Sequence, residues 1–201
     1  MRHSIGTRIW DDDGDWNYDI EALYQFGKFA SKQISAWTAS LNVSYVFSQA
    51  KLKPSPGIKT ELISGDRHYD DKKLQTFNPL FPRGAYFGLA ALIGPANLVD
   101  VHPYLTLSIL KTVELGFDYD IFWRYSSQDG LYSANGALIY SGKNITSRYI
   151  GDQAAVNLNY TPNNFLNVTA EFTWFDAGSF LKAASAGKDI LFAGLTIQFK
   201  F

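Results

Sequence analysis

The sequence predicts an all-β fold, an up-and-down antiparallel meander of about eight to ten strands that crosses a membrane as a β-barrel. Three observations predict it: apolar and polar residues alternate with period two, the alternating segments are long, and tight connections alternate with long ones. The 201 residues are 16% aromatic, yet the mean hydropathy is −0.12. Strands with one apolar and one polar face can reconcile these two values.

The strands can be located from the alternation alone. It predicts clear strands over 16–26, 37–47, 99–109, 113–125, 153–160, 166–174 and 191–201. Weaker candidates run over 4–10 and 58–65, and within 113–125 only Phe122 breaks the phase. The count is therefore about nine, and several strands exceed the five or six residues usual in soluble sheets.

The connections alternate in length. Tight links are predicted at 11–15, 111–112 and 161–164, and long links at 66–97 and 126–147, with a shorter one at 176–188. Short turns at one end of a barrel and long loops at the other are typical of outer-membrane proteins. The link at 31–33 is the exception, because it is short but falls at the end with the long loops.

A soluble barrel would show the same alternation with its apolar face turned inward around a ligand. Three features favour the membrane instead. Several strands reach the roughly 9 to 11 residues needed for a tilted crossing of the bilayer. Trp and Tyr gather toward strand ends, and Lys is scarce on the polar face. We therefore expect the apolar face to contact outer-membrane lipids.

The two chain ends also bear on localisation. The last strand ends on Phe201 in phase with Phe199 and Ile197, which resembles the C-terminal signal that the barrel-assembly machinery reads. The start lacks the apolar segment of a signal peptide, so we expect a mature or partial chain. An odd strand count also favours part of a larger barrel, because bacterial single-chain barrels have even numbers.

Composition and motifs argue against several functions. A net charge of −1 and the absence of cysteine argue against nucleic-acid binding and thiolate chemistry. His102 lies near Asp100 on a polar face, but Ser108 is about 20 Å further along the strand, so no catalytic triad is predicted. We expect His102 to be hydrogen-bonded in the wall. Neither a metal nor a cofactor is predicted, since the ligand spacing is poor and Asp11–Asp15 lacks the later glutamate of an EF-hand.

A series of short motifs covers about two thirds of the chain. They are SGDR at 64–67, TFNPLFPRG at 76–84, YFG at 86–88, IGPANL at 93–98, Asp100 with His102-Pro103, FWR at 122–124 and SRYIG at 147–151. Together they resemble the C-terminal half of the alginate-export family of outer-membrane proteins. The resemblance implies a barrel of about 18 strands, within the bacterial range, that exports a polyuronate along an arginine-lined constriction. This chain would then supply about half of the barrel.

Six residues are candidates for the pathway of such an anionic polysaccharide. Arg can bind carboxylates through its fork. Arg124 lies on the polar face, Arg67 at the top of its strand, and Arg83 in a loop expected to fold inward. Simple alternation places Arg148 with lipid-facing residues such as Ile150, so only a bulge or a position above the membrane would turn it inward. The last two candidates are Asp66 and Asp120.

These charges have a second interpretation. The polar faces carry more acids than bases, so the arginines would serve only to neutralise them in the wall. The leading hypothesis is an outer-membrane channel for passive export of an alginate-like polysaccharide, which is not an enzyme. The alternative is a general outer-membrane porin or structural barrel without polysaccharide specificity.

Overall fold

The computed structural model describes residues 1–68, 70–81 and 86–201 and is an antiparallel β-sheet. Nine long strands form a meander in sequence order. They are β1 (Arg2–Asp11), β2 (Trp16–Phe29), β3 (Lys32–Tyr45), β4 (Ser55–Ile63), β6 (Leu98–Leu110), β7 (Val113–Arg124), β10 (Tyr149–Asn163), β11 (Leu166–Ala177) and β12 (Ile190–Phe199). Short β5 (Lys73–Leu74) pairs parallel with β3. A separate hairpin joins β8 (Leu131–Tyr132) to β9 (Leu138–Tyr140), and α1 spans Ser179–Ala184.

All nine predicted strands are present, including the two weaker candidates, which are β1 and β4. The turn expected at 161–164 is wrong by two residues. Strand β10 continues through Pro162 to Asn163, whose side-chain oxygen accepts from the backbone N–H of Phe165 and Leu166. The Asx-type bonds of Asn163 therefore set the turn at Asn164 and Phe165.

The two faces of the sheet differ as the alternation predicts. Apolar side chains of one face are exposed, such as Ile20 at 44%, Phe172 at 50% and Leu195 at 68%. The opposite face carries buried polar side chains, including Glu61 and Asp120. A soluble barrel would turn its apolar face inward, so this arrangement favours the membrane interpretation. No helix among the described residues is long and apolar enough to cross a membrane.

The long loops fold back onto the polar face, here called the inner face. The first long loop (64–97) and the second long loop (125–148) lie at one end of the sheet, which we call the loop end. Phe87 of the first loop packs edge-to-face on Phe122 of β7, with ring centroids 5.3 Å apart. Phe122 is fully buried in an apolar cluster with Phe175 and Phe180. Phe122, the residue that breaks the apolar–polar alternation of β7, therefore provides an apolar contact for the first long loop.

A β-bulge corrects one prediction about β10. The pairing with β7 shifts between Tyr149 and Gly151, where Gly151 has φ +153°, a conformation that glycine adopts readily. The shift turns Ile150 into the apolar cluster, where it is fully buried. Ile150 is therefore not lipid-facing, although Val156 further along the strand keeps the predicted outward orientation with 41% exposure.

Strands β1 and β12 are the two edges of the sheet, so the described residues form an open sheet and not a closed barrel. Each edge strand pairs on one side only, β1 with β2 and β12 with β11. The closed barrel of about 18 strands remains a prediction.

Candidate functional site

Polar side chains form a belt across the inner face from β4 to β10. The pairing places Glu61 opposite Asp100, and Asp120 opposite Gln153. The Gln153 amide donates both to Asp120 Oδ2 at 2.7 Å and to the backbone oxygen of Phe87 at 2.6 Å. The belt therefore also anchors the first long loop against the wall.

Arg124 lies on the inner face, as the alternation predicts, but its guanidinium is completely buried. It donates to backbone oxygens of the second long loop at Ser127, Asp129, Ile145 and Ser147. It also stacks 4.0 Å from the ring centroid of Phe180. Because these partners enclose the guanidinium, Arg124 holds the second loop in shape and offers no surface to a passing polymer.

Arg67 and Arg148 are both exposed and lie outside the strands. Arg67 donates to the hydroxyl of Tyr125 at 2.7 Å and lies beside its ring. Arg148 precedes β10, and its Nε donates to the backbone oxygen of Arg124 at 2.7 Å. Both arginines therefore lie at the loop end of the sheet, where Arg67 was expected. Arg83 lies outside the described residues.

Asp66 is buried within the first long loop and is not open to the interior. Its Oδ1 accepts from the backbone N–H of Gln75 at 3.2 Å, and its Oδ2 lies 3.7 Å from Lys32 Nζ. Burial raises the pKa of the Asp66 carboxyl above its usual range. These contacts give Asp66 a role in loop structure.

The two long loops are joined by a buried polar network around Asp129 and Asn97. Asp129 Oδ2 accepts from the backbone N–H of Asp66 and from the hydroxyl of Thr76, both in the first loop. In return, the amide of Asn97 donates to the backbone oxygens of Ser126 and Gly130 in the second loop. The loops therefore fold as one unit over the inner face.

A charged cluster lies in the middle of the sheet, where Asp120 meets two residues of β6. His102 Nε2 contacts Asp118 Oδ1 at 2.9 Å, and His102 Nδ1 lies 2.5 Å from Asp120 Oδ1. His102 is thus hydrogen-bonded in the wall, as expected, though in the middle of its strand. Potential ligand atoms of Asp100, His102 and Asp120 all lie within 4.8 Å of one another. Sequence spacing missed this group because Asp120 comes from the neighbouring strand.

A groove lies between the first long loop and the far end of the sheet, with a volume of about 380 Å³. Its wall is made mainly of amides and hydroxyls, together with one carboxylate. The lining residues of β10, β11 and β12 are Asn157, Asn159, Asn167, Thr169, Glu171, Thr196 and Gln198. Such groups donate and accept hydrogen bonds without a fixed charge.

Two further polar groups were missed by the sequence interpretation. Tyr86 donates to Glu61 Oε1 at 2.6 Å, and Lys59 Nζ lies 3.1 Å from the same oxygen and 4.3 Å from the Tyr86 ring centroid. Burial and the adjacent Glu61 carboxylate raise the Tyr86 pKa. On β1, Arg8 forms a two-pronged ion pair with Asp19. Alternation places Lys59, Glu61 and Asp19 on the inner face, but it predicts neither the contact from Tyr86, which lies in the first long loop, nor the partner of Arg8.

A sheet with an exposed apolar outer face and a polar inner face is typical of the wall of a membrane-spanning β-barrel. The family model for alginate export matches residues 1–189, so the chain belongs to the alginate export family. This is a family of outer-membrane β-barrel transport channels, not of enzymes. No curated protein matches the chain.

Proposed function

We propose that this chain forms part of the wall of an outer-membrane channel through which an anionic, alginate-like polysaccharide leaves the cell by diffusion. The groove of amides and hydroxyls on the inner face is the observation that supports it most directly. A polyuronate carries hydroxyls and carboxylates, and both accept hydrogen bonds from amides such as Asn157 and Asn159. Contacts with uncharged groups are weak enough for the polymer to move on, which a passive pore requires.

The exposed arginines suggest where the negative charge of the polymer would be attracted. Arg67 and Arg148 both lie at the loop end, and a positive charge at a pore mouth attracts anions over about a Debye length. We assign Arg67 to the exit mouth and leave Arg124, Asp66 and Asp120 out of the pathway. An Arg67→Ala variant is expected to lower anion preference, which the reversal potential under a salt gradient measures.

The proposal can be tested with the purified protein reconstituted in a planar bilayer. Polyuronate added to one side should block the current in events that lengthen with chain length, whereas neutral dextran of equal length should block it far less. Replacing Asn157 and Asn159 together by Ala should shorten the polyuronate events. Asn17→Ala is the matched control, because Asn17 is an inner-face amide outside this groove.

A general outer-membrane pore is the second candidate function. The observation that favours it is that acids predominate on the inner face while the buried Arg124 is enclosed by the protein itself. Such a pore would show cation preference, and polyuronate would not change its conductance. Equal blocking by dextran and polyuronate would also favour this candidate over polysaccharide specificity.

A further inference from the structure

We propose that Asp100, His102 and Asp120 form a binding site for a divalent transition-metal cation, with Zn²⁺ as the representative, inside the wall of the sheet. Asp100 and His102 lie two residues apart on β6, so both side chains point to the inner face. Asp120 faces them from the adjacent strand β7. Ligand atoms from the three residues come within 4.8 Å of one another.

The environment of the Asp100 carboxylate favours a bound cation. The residue is completely buried, and neither carboxylate oxygen has a hydrogen-bond partner among the described residues. An ionised carboxylate without a partner is costly to bury. One oxygen of Glu61, opposite Asp100 in β4, is also buried and unpartnered. A cation bound between the strands would compensate the Asp100 carboxylate, with Glu61 or water available as a further ligand.

The second ligand, His102, is oriented as metal-binding histidines usually are. Its Nε2 is hydrogen-bonded to Asp118, which turns Nδ1 toward Asp120. Asp118 is in turn held by the Asn157 amide at 2.8 Å. A carboxylate on the far ring nitrogen fixes the tautomer and raises the basicity of the ligating nitrogen. With Nε2 protonated, the Nδ1 lone pair is available for a metal.

The third ligand, Asp120, is fixed in the same way. Its Oδ2 accepts from Gln153, which leaves Oδ1 directed at His102. The atoms Asp120 Oδ1 and His102 Nδ1 are 2.5 Å apart, yet they are not aligned for a hydrogen bond with each other. Metal–ligand distances of about 2.0–2.2 Å separate tetrahedral ligand atoms by about 3.4 Å. Small side-chain rotations would therefore open this pair around an ion.

The donor set and the charge select the class of cation. The cluster contains more acidic than basic side chains, so a bound ion must be positive. The four carboxylates are Glu61, Asp100, Asp118 and Asp120, and the two basic residues are Lys59 and His102. Ca²⁺ requires six to eight oxygen ligands, more than the three residues supply. An imidazole nitrogen with two carboxylates suits Zn²⁺ and related transition metals. His102 and Asp118 are partly exposed, which gives the ion a way in from the interior.

The experiment measures Zn²⁺ binding by chelator-stripped protein in detergent, purified without a histidine tag. We expect one Zn²⁺ per chain. Asp100→Asn and His102→Gln should each weaken its affinity at least about tenfold, the minimum typical of losing even a supporting group. His68→Gln is the matched control, because His68 is exposed in the first long loop, and it should leave the affinity unchanged. Co²⁺ substituted for Zn²⁺ reports the coordination geometry by its absorption spectrum.

Three outcomes would overturn the proposal. The stripped protein fails to bind Zn²⁺, in which case Asp100 is neutralised by a proton alone. Zn²⁺ binds equally well to the wild type and to the Asp100→Asn variant, which places it elsewhere on the surface. Ca²⁺ binds more tightly than Zn²⁺, which contradicts the donor-set argument. Heat-modifiable migration on gels shows whether each variant folds. If either Asp100→Asn or His102→Gln does not fold, Zn²⁺ affinity is compared in the other one and in Asp118→Asn, which is expected to weaken binding about tenfold.

Discussion

Replacing Arg124 by Lys is expected to release the second long loop without unfolding the sheet. The guanidinium serves four loop carbonyls, at Ser127, Asp129, Ile145 and Ser147, from a fully buried position. An ammonium group cannot reproduce this planar fork. An ammonium has three donors for four carbonyls, so at least one buried carbonyl is left unsatisfied, which costs about 1–3 kcal/mol.

This free energy translates into a measurable rate. At about 1.4 kcal/mol per factor of ten, local opening of the loop should become more frequent by about one to two orders of magnitude. Amide hydrogen exchange of residues 142–147 in the folded protein measures it. The control is Arg67→Lys, since Arg67 is exposed and, among the residues that the structure describes, donates one side-chain hydrogen bond, to Tyr125. Unchanged exchange in the Arg124 variant, or an equal change in both variants, would refute the reasoning.

Three further predictions concern how the first long loop is held. Gly65→Ala should reduce the folded fraction on heat-modifiability gels, because a Cβ at Gly65 would lie 1.9 Å from Asn97 Oδ1. Overpacking of this kind costs about 1–3 kcal/mol. A folded fraction equal to that of the wild type would contradict the prediction. Tyr86→Phe removes the hydrogen bond from the Tyr86 hydroxyl to the Glu61 carboxylate, which is worth about 1.5–3 kcal/mol, and should increase brief closures in single-channel recordings. Recordings identical to those of the wild type would contradict an anchoring role for Tyr86. Burial raises the pKa of Asp66, so the loop should be most resistant to proteolysis at low pH. It should lose resistance as the pH rises from the ordinary pKa of a carboxyl group through the raised pKa of Asp66. Asp66→Asn should abolish this dependence, and a dependence of opposite sign would refute the prediction.

The alternation of residue types was sufficient to predict the strands and their faces. Phe172 and Leu195 are exposed on the predicted outer face, because burial and side-chain direction in a strand both follow period two. Alternation fails where the backbone departs from a regular ladder. Ile150 was assigned outward because no propensity signals the bulge beside it, although the adjacent Gly151 was the available clue.

The candidate site was predictable only in part. The strand phase placed Arg124 and Asp120 inward correctly, since each lies within a regular strand. It could not show that carbonyls of a folded loop enclose Arg124, because backbone groups have no signature in sequence. It also could not bring His102 and Asp120 together, because cross-strand register depends on turns and bulges and not on spacing within one strand.

The shared network of Asp129 and Asn97 has a consequence for how the loop end of the sheet moves. Each of these side chains belongs to one long loop and bonds to backbone or side chains of the other. Neither loop can swing away without breaking buried bonds of its neighbour, so opening must be concerted. Insertions that lengthen one loop would therefore alter the dynamics of both, so selection acting on either segment would also act on the other.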